Sequence, residues 1–313
     1  MINLGLSQPA LNVTSFLFKK FNVVSSPYIF IGSDTIKNFD TYLFFDADEV
    51  EFSVKRIDLH LTDVNYIGGP RYTKTHQYLI MKKLGIKHPK FISPLYGYND
   101  DERQDEIHAL LPNLSGSDIL IKSNNGARGI GQALIPRTSL HNIIKDAHRM
   151  GSYEFNEKWK LYLGGSDATE SDSEYFTSCL QNRDYLISEK LEHKHEFRAI
   201  YLSSRPDNPI IVKRNITDTW QANTSVTGYG EQIEFSDLDI PGFNKDKFLR
   251  ELRKLAQLHN YPWLSTDVYV MENGEHGFFE FQMQFGYESI DKDTLIKEIS
   301  DSVETTLKEI NES

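Results

Sequence analysis

Ser265 to Gln284 reads STDVYVMENGEHGFFEFQMQ, two strand-like runs on either side of Asn273-Gly274. Asn-Gly between such runs is the strongest short-range signal for a two-residue type I′ hairpin. With that turn Glu272 pairs with Glu275, Val270 with Gly277 and Asp267 with Glu280. Directly opposed residues share a face, their Cβ atoms about 5 Å apart. The period of two adds Gln282 and Gln284 to the face of Glu280 and turns Phe279, Phe281 and Met283 to the other side. Two carboxylates opposed in a half-buried sheet repel each other, and a hard divalent cation with oxygen ligands relieves the repulsion. Mg²⁺, held by one or two carboxylates plus phosphate oxygens, suits that chemistry. A solvated polar face whose acids point to water satisfies the same pattern.

The chain around this hairpin has 313 residues, long enough for two or three packed units, and its 39% hydrophobic content is that of a soluble globular protein. Its longest apolar stretches, such as Tyr28 to Ile31 and Tyr42 to Phe45, are a handful of residues, against the roughly 20 needed to span a bilayer. The amino terminus lacks a basic segment followed by an apolar run, and the single cysteine, Cys179, excludes an intrachain disulfide. A cytoplasmic setting is expected. The formal charge of −11 argues against a protein that coats nucleic acid.

From the start to about residue 70, strands are expected at Pro27 to Gly32 and Thr41 to Asp46, in a small unit without an interpretable motif. Tyr72 to Leu84 has helical spacing, with Gln77, Ile80, Met81 and Leu84 on one side and Gly85 placed to end it. Further strands are expected at Asp118 to Lys122, Gln132 to Pro136, Tyr185 to Lys190, Phe197 to Leu202 and Ile210 to Arg214. Helical spacing recurs in Leu140, Ile143, Ile144 and Ala147. It recurs again in Phe248, Leu252, Leu255 and Ala256 behind a capping Asn244, and in Ile296, Ile299, Val303, Leu307 and Ile310. Gly164 to Glu174 (GGSDATESDSE), small and acidic, reads as a surface loop. Strands and helices mixed without regular alternation give class α+β rather than a doubly wound sheet.

IKSNNGARGIGQALI places Lys122 at a strand end and Gly126, Gly129 and Gly131 in the turn that follows. Glycines let backbone N–H groups approach an anion, and the lysine adds a point charge, which suits a polyphosphate. The spacing fits neither a Walker loop nor a Rossmann fingerprint, because a strand rather than a helix follows. A plain hairpin with a flexible tip fits the same residues.

Taken in order, these pieces resemble the ATP-grasp superfamily, nearest to its glutathione-synthetase-like and RimK-like ligases. The resemblance runs from about Arg71 to Glu288. TKTHQYLIMKKLGIKHPKF looks like the family's lysine-bearing helix, which makes Lys74 the first phosphate-contacting lysine, and ILIKSNNGARGIG its strand and glycine loop, with Lys122 the second. YLISEKLEHKHEFRAIYL is similar to the adenine-binding hinge, here Ser188, Glu189, Lys190 and Leu191. Glu196 falls in the ribose-binding position and Arg198 where RimK-like members keep an arginine. VKRNITDTWQANTSVTGYG nominates Lys213 or Arg214 for phosphate or acyl-phosphate oxygens and Asn223 for the site wall. Asp267 and Glu280 fall on the Mg²⁺ ligands. The family's Glu-x-Asn is here Glu280-Phe281-Gln282, a side chain one methylene longer, which weakens the case for a second Mg²⁺.

The resemblance implies an α+β ATP-grasp fold, two subdomains gripping ATP, behind a small α/β amino-terminal domain. The boundaries expected are 1–70 for the substrate domain, 71–187 for the first ATP-grasp subdomain and 188–313 for the second. It implies a carboxylate–amine ligase using ATP and Mg²⁺ through an acyl phosphate, on a small-molecule or peptide carboxylate and an amine; a homodimer is the default expectation. A nucleotide-sensing protein with little turnover and a kinase acting on a hydroxyl are the alternatives. Local readings compete at single residues: Lys74 as a solvated helix lysine, Glu196 and Arg198 as a salt bridge on one strand face, His193 and His195 as solvated loop histidines.

Overall fold

A computed structural model describes residues 3–6, 22–25, 41–47, 53, 56, 64–94, 107, 109–125, 131–163, 170–214, 230–283 and 290–312. The strand expected at Pro27 to Gly32, together with Gly126, Gly129, Asn223 and Gln284, lies outside the described residues.

Three sheets form among the described residues. Strands β1 (Asn3–Leu6), β2 (Asn22–Ser25), β3 (Thr41–Ala47) and β4 (Asn65–Pro70) make a parallel sheet in the order β2-β1-β3-β4. The second sheet is antiparallel, β5-β8-β6-β7, from β5 (Phe91–Ile92), β6 (Asp118–Ser123), β7 (Gln132–Pro136) and β8 (Tyr185–Glu189). The third, β11-β10-β9-β12-β13, is also antiparallel. It uses β9 (His195–Leu202), β10 (Ile210–Arg214), β11 (Gly230–Ile233), β12 (Trp263–Val270) and β13 (His276–Gln282).

Helix α1 (Lys74–Leu84) starts where the Thr73 side chain accepts from the His76 N–H, and it ends at Gly85, whose φ of 69° lets its N–H reach back to Lys82 and Met81 carbonyls. Its buried face is Lys74, Gln77, Tyr78 and Met81. That face is rotated from the one periodicity implies, leaving Ile80 and Leu84 at the edge of the core. Helices α2 (Leu140–Arg149), α3 (Ser152–Trp159) and α4 (Glu170–Asn182) pack with the second sheet around Ile119, Ile121, Ile143, Phe155 and Phe176. A larger core joins the third sheet to α1, α5 (Lys245–Gln257) and α6 (Lys292–Glu312) through Met81, Phe197, Phe248, Leu252, Ile299 and Val303. Among the described residues no helix is long and apolar enough to cross a membrane.

The acidic stretch read as a loop is corrected in its last five residues, which open α4. Ser173 there is fully buried and donates to Asn156 Oδ1 at 2.7 Å, while Thr177 Oγ1 donates to the Ser173 carbonyl at 2.6 Å. Small polar side chains go inside when each hydroxyl finds a partner, which composition does not reveal.

The hairpin turn also differs. Only Gly274 takes a left-handed conformation, φ 80°, so the tip is a three-residue loop, Glu272 to Gly274. It is closed by Met271 N–H to Glu275 O at 2.8 Å and Gly274 N–H to Met271 O at 2.9 Å. Glu272 therefore does not face Glu275, and Val270 faces His276 rather than Gly277. A bulge between Asp267 and Val268 then takes up Phe279 as an extra residue and restores Asp267 opposite Glu280. Two irregularities of one residue cancel. The bulge reverses the expected placement of Phe279: Phe278, Phe281 and Met283 enter the core, and Phe279 packs on Tyr269 and His193, ring centroids 4.9 and 5.4 Å away.

Candidate functional site

The third sheet gathers the acids and arginines because neighbouring strands bring every second side chain to one face. Arg198 on β9 lies across from Asp267 on β12, and Glu196 across from Arg214 on β10. Arg198 donates to Asp267 from Nε at 2.8 Å and from Nη2 at 3.1 Å. Arg214 Nη2 reaches both Asp267 oxygens at 2.9 Å, and its Nη1 donates to Glu196 Oε1 at 2.5 Å. The ion pairs run across strands, not along one face between Glu196 and Arg198 as neighbours. Among the described residues Arg214 Nε is buried without a hydrogen-bond partner, as are Ser188 Oγ, Thr266 Oγ1 and Tyr269 OH.

Burial alone would raise the Asp267 carboxyl, but Arg198 and then Arg214 hold it well below the usual carboxylate range. Glu280, opposite it, is pushed up by burial and then by the Asp267 charge. The pair thus shows the repulsion that opposed carboxylates imply, and its relief on the Asp267 side comes from guanidinium groups. Gln282 lies two residues on, half-buried and opposite Ser265.

Both lysines are buried rather than solvated. Lys74 is pulled down from the usual lysine value chiefly by burial, with Glu280 acting against that shift. Lys122 falls to about 8, through burial first and the charge of Lys74 second. Its Nζ sits 3.4 Å from Tyr78 OH and 5.4 Å from the Phe279 ring centre. Asn124, just past β6, ties the two lysine-bearing elements together. Its carbonyl accepts from Lys74 N–H at 3.2 Å, and its Oδ1 accepts from Thr75 Oγ1 at 2.8 Å.

The other expected residues are dispersed. Glu189 spends its carboxylate on backbone, accepting from Lys90 N–H at 2.8 Å and Ser115 N–H at 3.4 Å. Lys190 makes an exposed contact with Glu192 at 3.7 Å. Leu191 O lies 3.2 Å from His193 Nδ1. Lys213 alternates with Arg214 and so faces away from the acids, which makes Arg214 the one of that pair at the site. His193 is not a solvated loop residue, since its Nε2 lies 3.1 Å from Glu196 Oε2.

Sequence reasoning missed Tyr78, Tyr269, Phe279 and His193 as neighbours of the lysines and acids. Tyr78 was within reach, four residues from Lys74 on the same helix. Phe279 was not, because only the bulge turns it toward Lys122.

No protein-family model matches the chain, and no curated protein matches it in sequence. In three dimensions it is similar to D-alanine–D-alanine ligase from Bacillus anthracis complexed with ATP, with a TM-score of 0.54 at 12% identity, covering 98% of this chain and 97% of that one. A Chryseobacterium gregarium RiPP-associated ATP-grasp ligase, in complex with ADP and a leader and core peptide, matches at a TM-score of 0.51 and 15% identity over 96% of each chain. The ATP-grasp ligase PsnB, complexed with a phosphomimetic variant of a minimal precursor, Mg and ADP, matches at 0.50 and 12%, covering 97% of this chain and 99% of that one.

Proposed function

We propose, from the premise that the chain has the ATP-grasp fold, that it is an ATP- and Mg²⁺-dependent carboxylate–amine ligase working through an acyl phosphate. The observation that carries the reading is the opposition of Asp267 and Glu280 across β12 and β13, with two desolvated lysines acting on the same carboxylate. Two buried ammonium groups, each losing proton affinity to burial and Lys122 also to the charge of Lys74, suit a polyanion such as a triphosphate.

The donor set fits Mg²⁺. Two opposed carboxylates and a carboxamide oxygen are hard ligands, and Glu280, raised by burial and then by the Asp267 charge, is the member of the pair that a cation would relieve. Asp267, Glu280 and Gln282 would hold the ion, which supplies neutralisation of phosphate oxygens when bound. Among the described residues no group of three or more His, Cys, Asp or Glu is placed to hold a metal, so phosphate oxygens would have to complete its shell.

In this reading Lys74 and Lys122 spread positive charge over the transferring phosphoryl group, and Arg214 supports it from β10. Glu196 binds the ribose, and the backbone from Ser188 to Leu191 takes the adenine edge. Arg198 orients the acceptor carboxylate, Asn223 would form the site wall, and Gly126 and Gly129 would contact the nucleotide. A carboxylate oxygen attacks the γ-phosphorus and ADP leaves. The amine then attacks the acyl carbon, loses a proton, and inorganic phosphate leaves. The peptides bound in the RiPP-associated neighbour support including peptides among the carboxylates to be screened.

Measuring ADP release against a panel of carboxylate and amine pairs tests the proposal. Stimulation by one pair, abolished by EDTA, is expected; ATP binding with no stimulation by any pair counts against ligation. One observation favours the rival, a nucleotide-binding protein with little turnover: both oxygens of Asp267 already engage arginines. Tight ATP binding that survives EDTA, without product, would select it.

A further inference from the structure

We infer that Tyr78 and Phe279 are positioning residues that seat the Lys122 ammonium between neutral groups, so that it meets an incoming phosphate with no carboxylate to leave behind. The inference rests on the ligase reading of the same site and adds to it how that lysine is held before nucleotide arrives.

Alternation on the second sheet puts Lys122 on the face opposite Ile119 and Ile121, whose side chains enter the core shared with α2, α3 and α4. On its own side, where it is buried, its Nζ has Tyr78 OH at 3.4 Å and the Phe279 ring centre at 5.4 Å. Among the described residues no carboxylate forms an ion pair with it. The guanidinium groups of the cleft differ, since Arg198 and Arg214 both engage Asp267.

Neither neighbour becomes a counter-ion. Burial first and Glu280 second push the Tyr78 phenol well above its usual range, so it stays neutral and offers Lys122 only an oxygen lone pair. Phe279 offers a ring face, which attracts a cation within about 6 Å of its centre. The charges that act on Lys122 without touching it are Lys74 on α1, which lowers its proton affinity, and Glu280 on β13 and Glu196 on β9, which raise it. The 3.4 Å contact is longer than the usual N–H···O range of about 2.7–3.2 Å, so the donors of the ammonium stay available to phosphate oxygens.

Both neighbours are themselves fixed. The Tyr78 ring lies against His88, with centroids 5.4 Å apart and planes 21° from parallel, and meets Phe91 edge-on at 5.2 Å. Phe279 reaches the lysine only through the bulge beside Asp267, and Tyr269 and His193 back its ring. Elements α1 and β13 thus hold from two sides an ammonium that β6 delivers. A carboxylate would hold it too, but through a charge-assisted bond that has to break before a phosphate oxygen takes its place.

The test is calorimetric titration of the full chain with a non-hydrolysable ATP analogue and Mg²⁺ at pH 8, in buffers of different ionisation enthalpy, which reads the protons taken up on binding. Wild type is expected to take up about half a proton, because Lys122 titrates at about 8, and loss of that uptake in Lys122→Met assigns it to this residue. Tyr78→Phe deletes one oxygen and keeps the ring, so Lys122 loses proton affinity. A tenfold loss leaves about a tenth of the lysines charged at pH 8, and uptake rises from about half to about nine tenths of a proton. Phe279→Leu, which removes the ring face, is expected to raise uptake less, and it carries the test should the Tyr78 variant not fold. Damage to the fold admits water to Lys122, restores its proton affinity and lowers uptake, so a rise distinguishes the seat from a merely structural role. Unchanged or reduced uptake in the folded variants overturns the inference. Failure of wild type to bind the analogue would remove the ligase reading and the seat with it, whereas binding with no rise in either variant removes only the seat.

Discussion

Gln77 accepts the backbone N–H of Phe281 through Oε1 at 2.9 Å and donates from Nε2 to the Tyr72 carbonyl at 2.9 Å. One side chain on α1 therefore staples the helix that begins with Lys74 to the strand that carries Glu280. The staple thus joins the two elements whose lysine and acid interact electrostatically.

Replacing Gln77 with leucine leaves the buried Phe281 N–H without an acceptor, which costs about 1–3 kcal/mol. Thermal unfolding should show a midpoint lowered by several degrees, and titration with an ATP analogue should show weaker binding in the same variant. A lowered midpoint with unaltered nucleotide affinity would mean that the staple serves the fold alone.

Lys122 provides a proton signature. Burial and Lys74 bring its value down to about 8, below the ordinary lysine value of 10.5, so in the folded protein this charge is half lost at pH 8. The unfolded chain binds the extra proton between about 8 and 10.5, and the folded state gains stability as pH rises through that window. Phosphate oxygens favour the charged form, so nucleotide binding at pH 8 should take up about half a proton. Calorimetry in buffers of different ionisation enthalpy reads the uptake, and Lys122→Met should abolish it.

Two glycines with similar left-handed backbones should respond differently to alanine. A Cβ on Gly85, φ 69°, meets nothing within 4 Å, leaving only the backbone cost of about 1–2 kcal/mol. A Cβ on Gly274, φ 80°, would lie 2.2 Å from the Gly242 carbonyl carbon, and the atoms it meets there are all backbone. Gly274→Ala should therefore lose clearly more stability in denaturant unfolding. Equal losses would show that the hairpin tip yields.

His259 is pushed down to about 4 by burial and then by Arg56, with Tyr72 OH 2.5 Å from its Nε2 and Tyr261 in edge contact. Its folded value lies below the ordinary 6.5, so the unfolded chain takes up the extra proton between 6.5 and 4. Stability is lost as pH falls through that window. Melting curves of wild type and His259→Gln from pH 7 to pH 4 should converge toward acid. A difference constant with pH would rule out this ring as a source of acid lability.

Much of the site's cast was legible because it follows short-range periodicity. Strand alternation sorts Glu196 with Arg198, and Arg214 from Lys213; Gly85 and Asn244 mark helix ends at single positions. The pairing of Asp267 with Glu280 was reached by counting through a turn of the wrong type, and it survives because the bulge at Phe279 returns the residue that the longer loop takes. The same cancellation explains why Phe279 was assigned to the wrong face.

The sequence by itself determined the α+β inventory, the helix caps and the identity of the acids and bases, because these depend on spacing along one strand or helix. Tertiary structure alone decided that Asp267 would be gripped by two arginines, that Lys74 and Lys122 would be desolvated together, and that Ser173 would be buried in a helix. Those outcomes depend on which surfaces cover a group and which charges they bring. Residues far apart in the chain set both, so no local pattern encodes them.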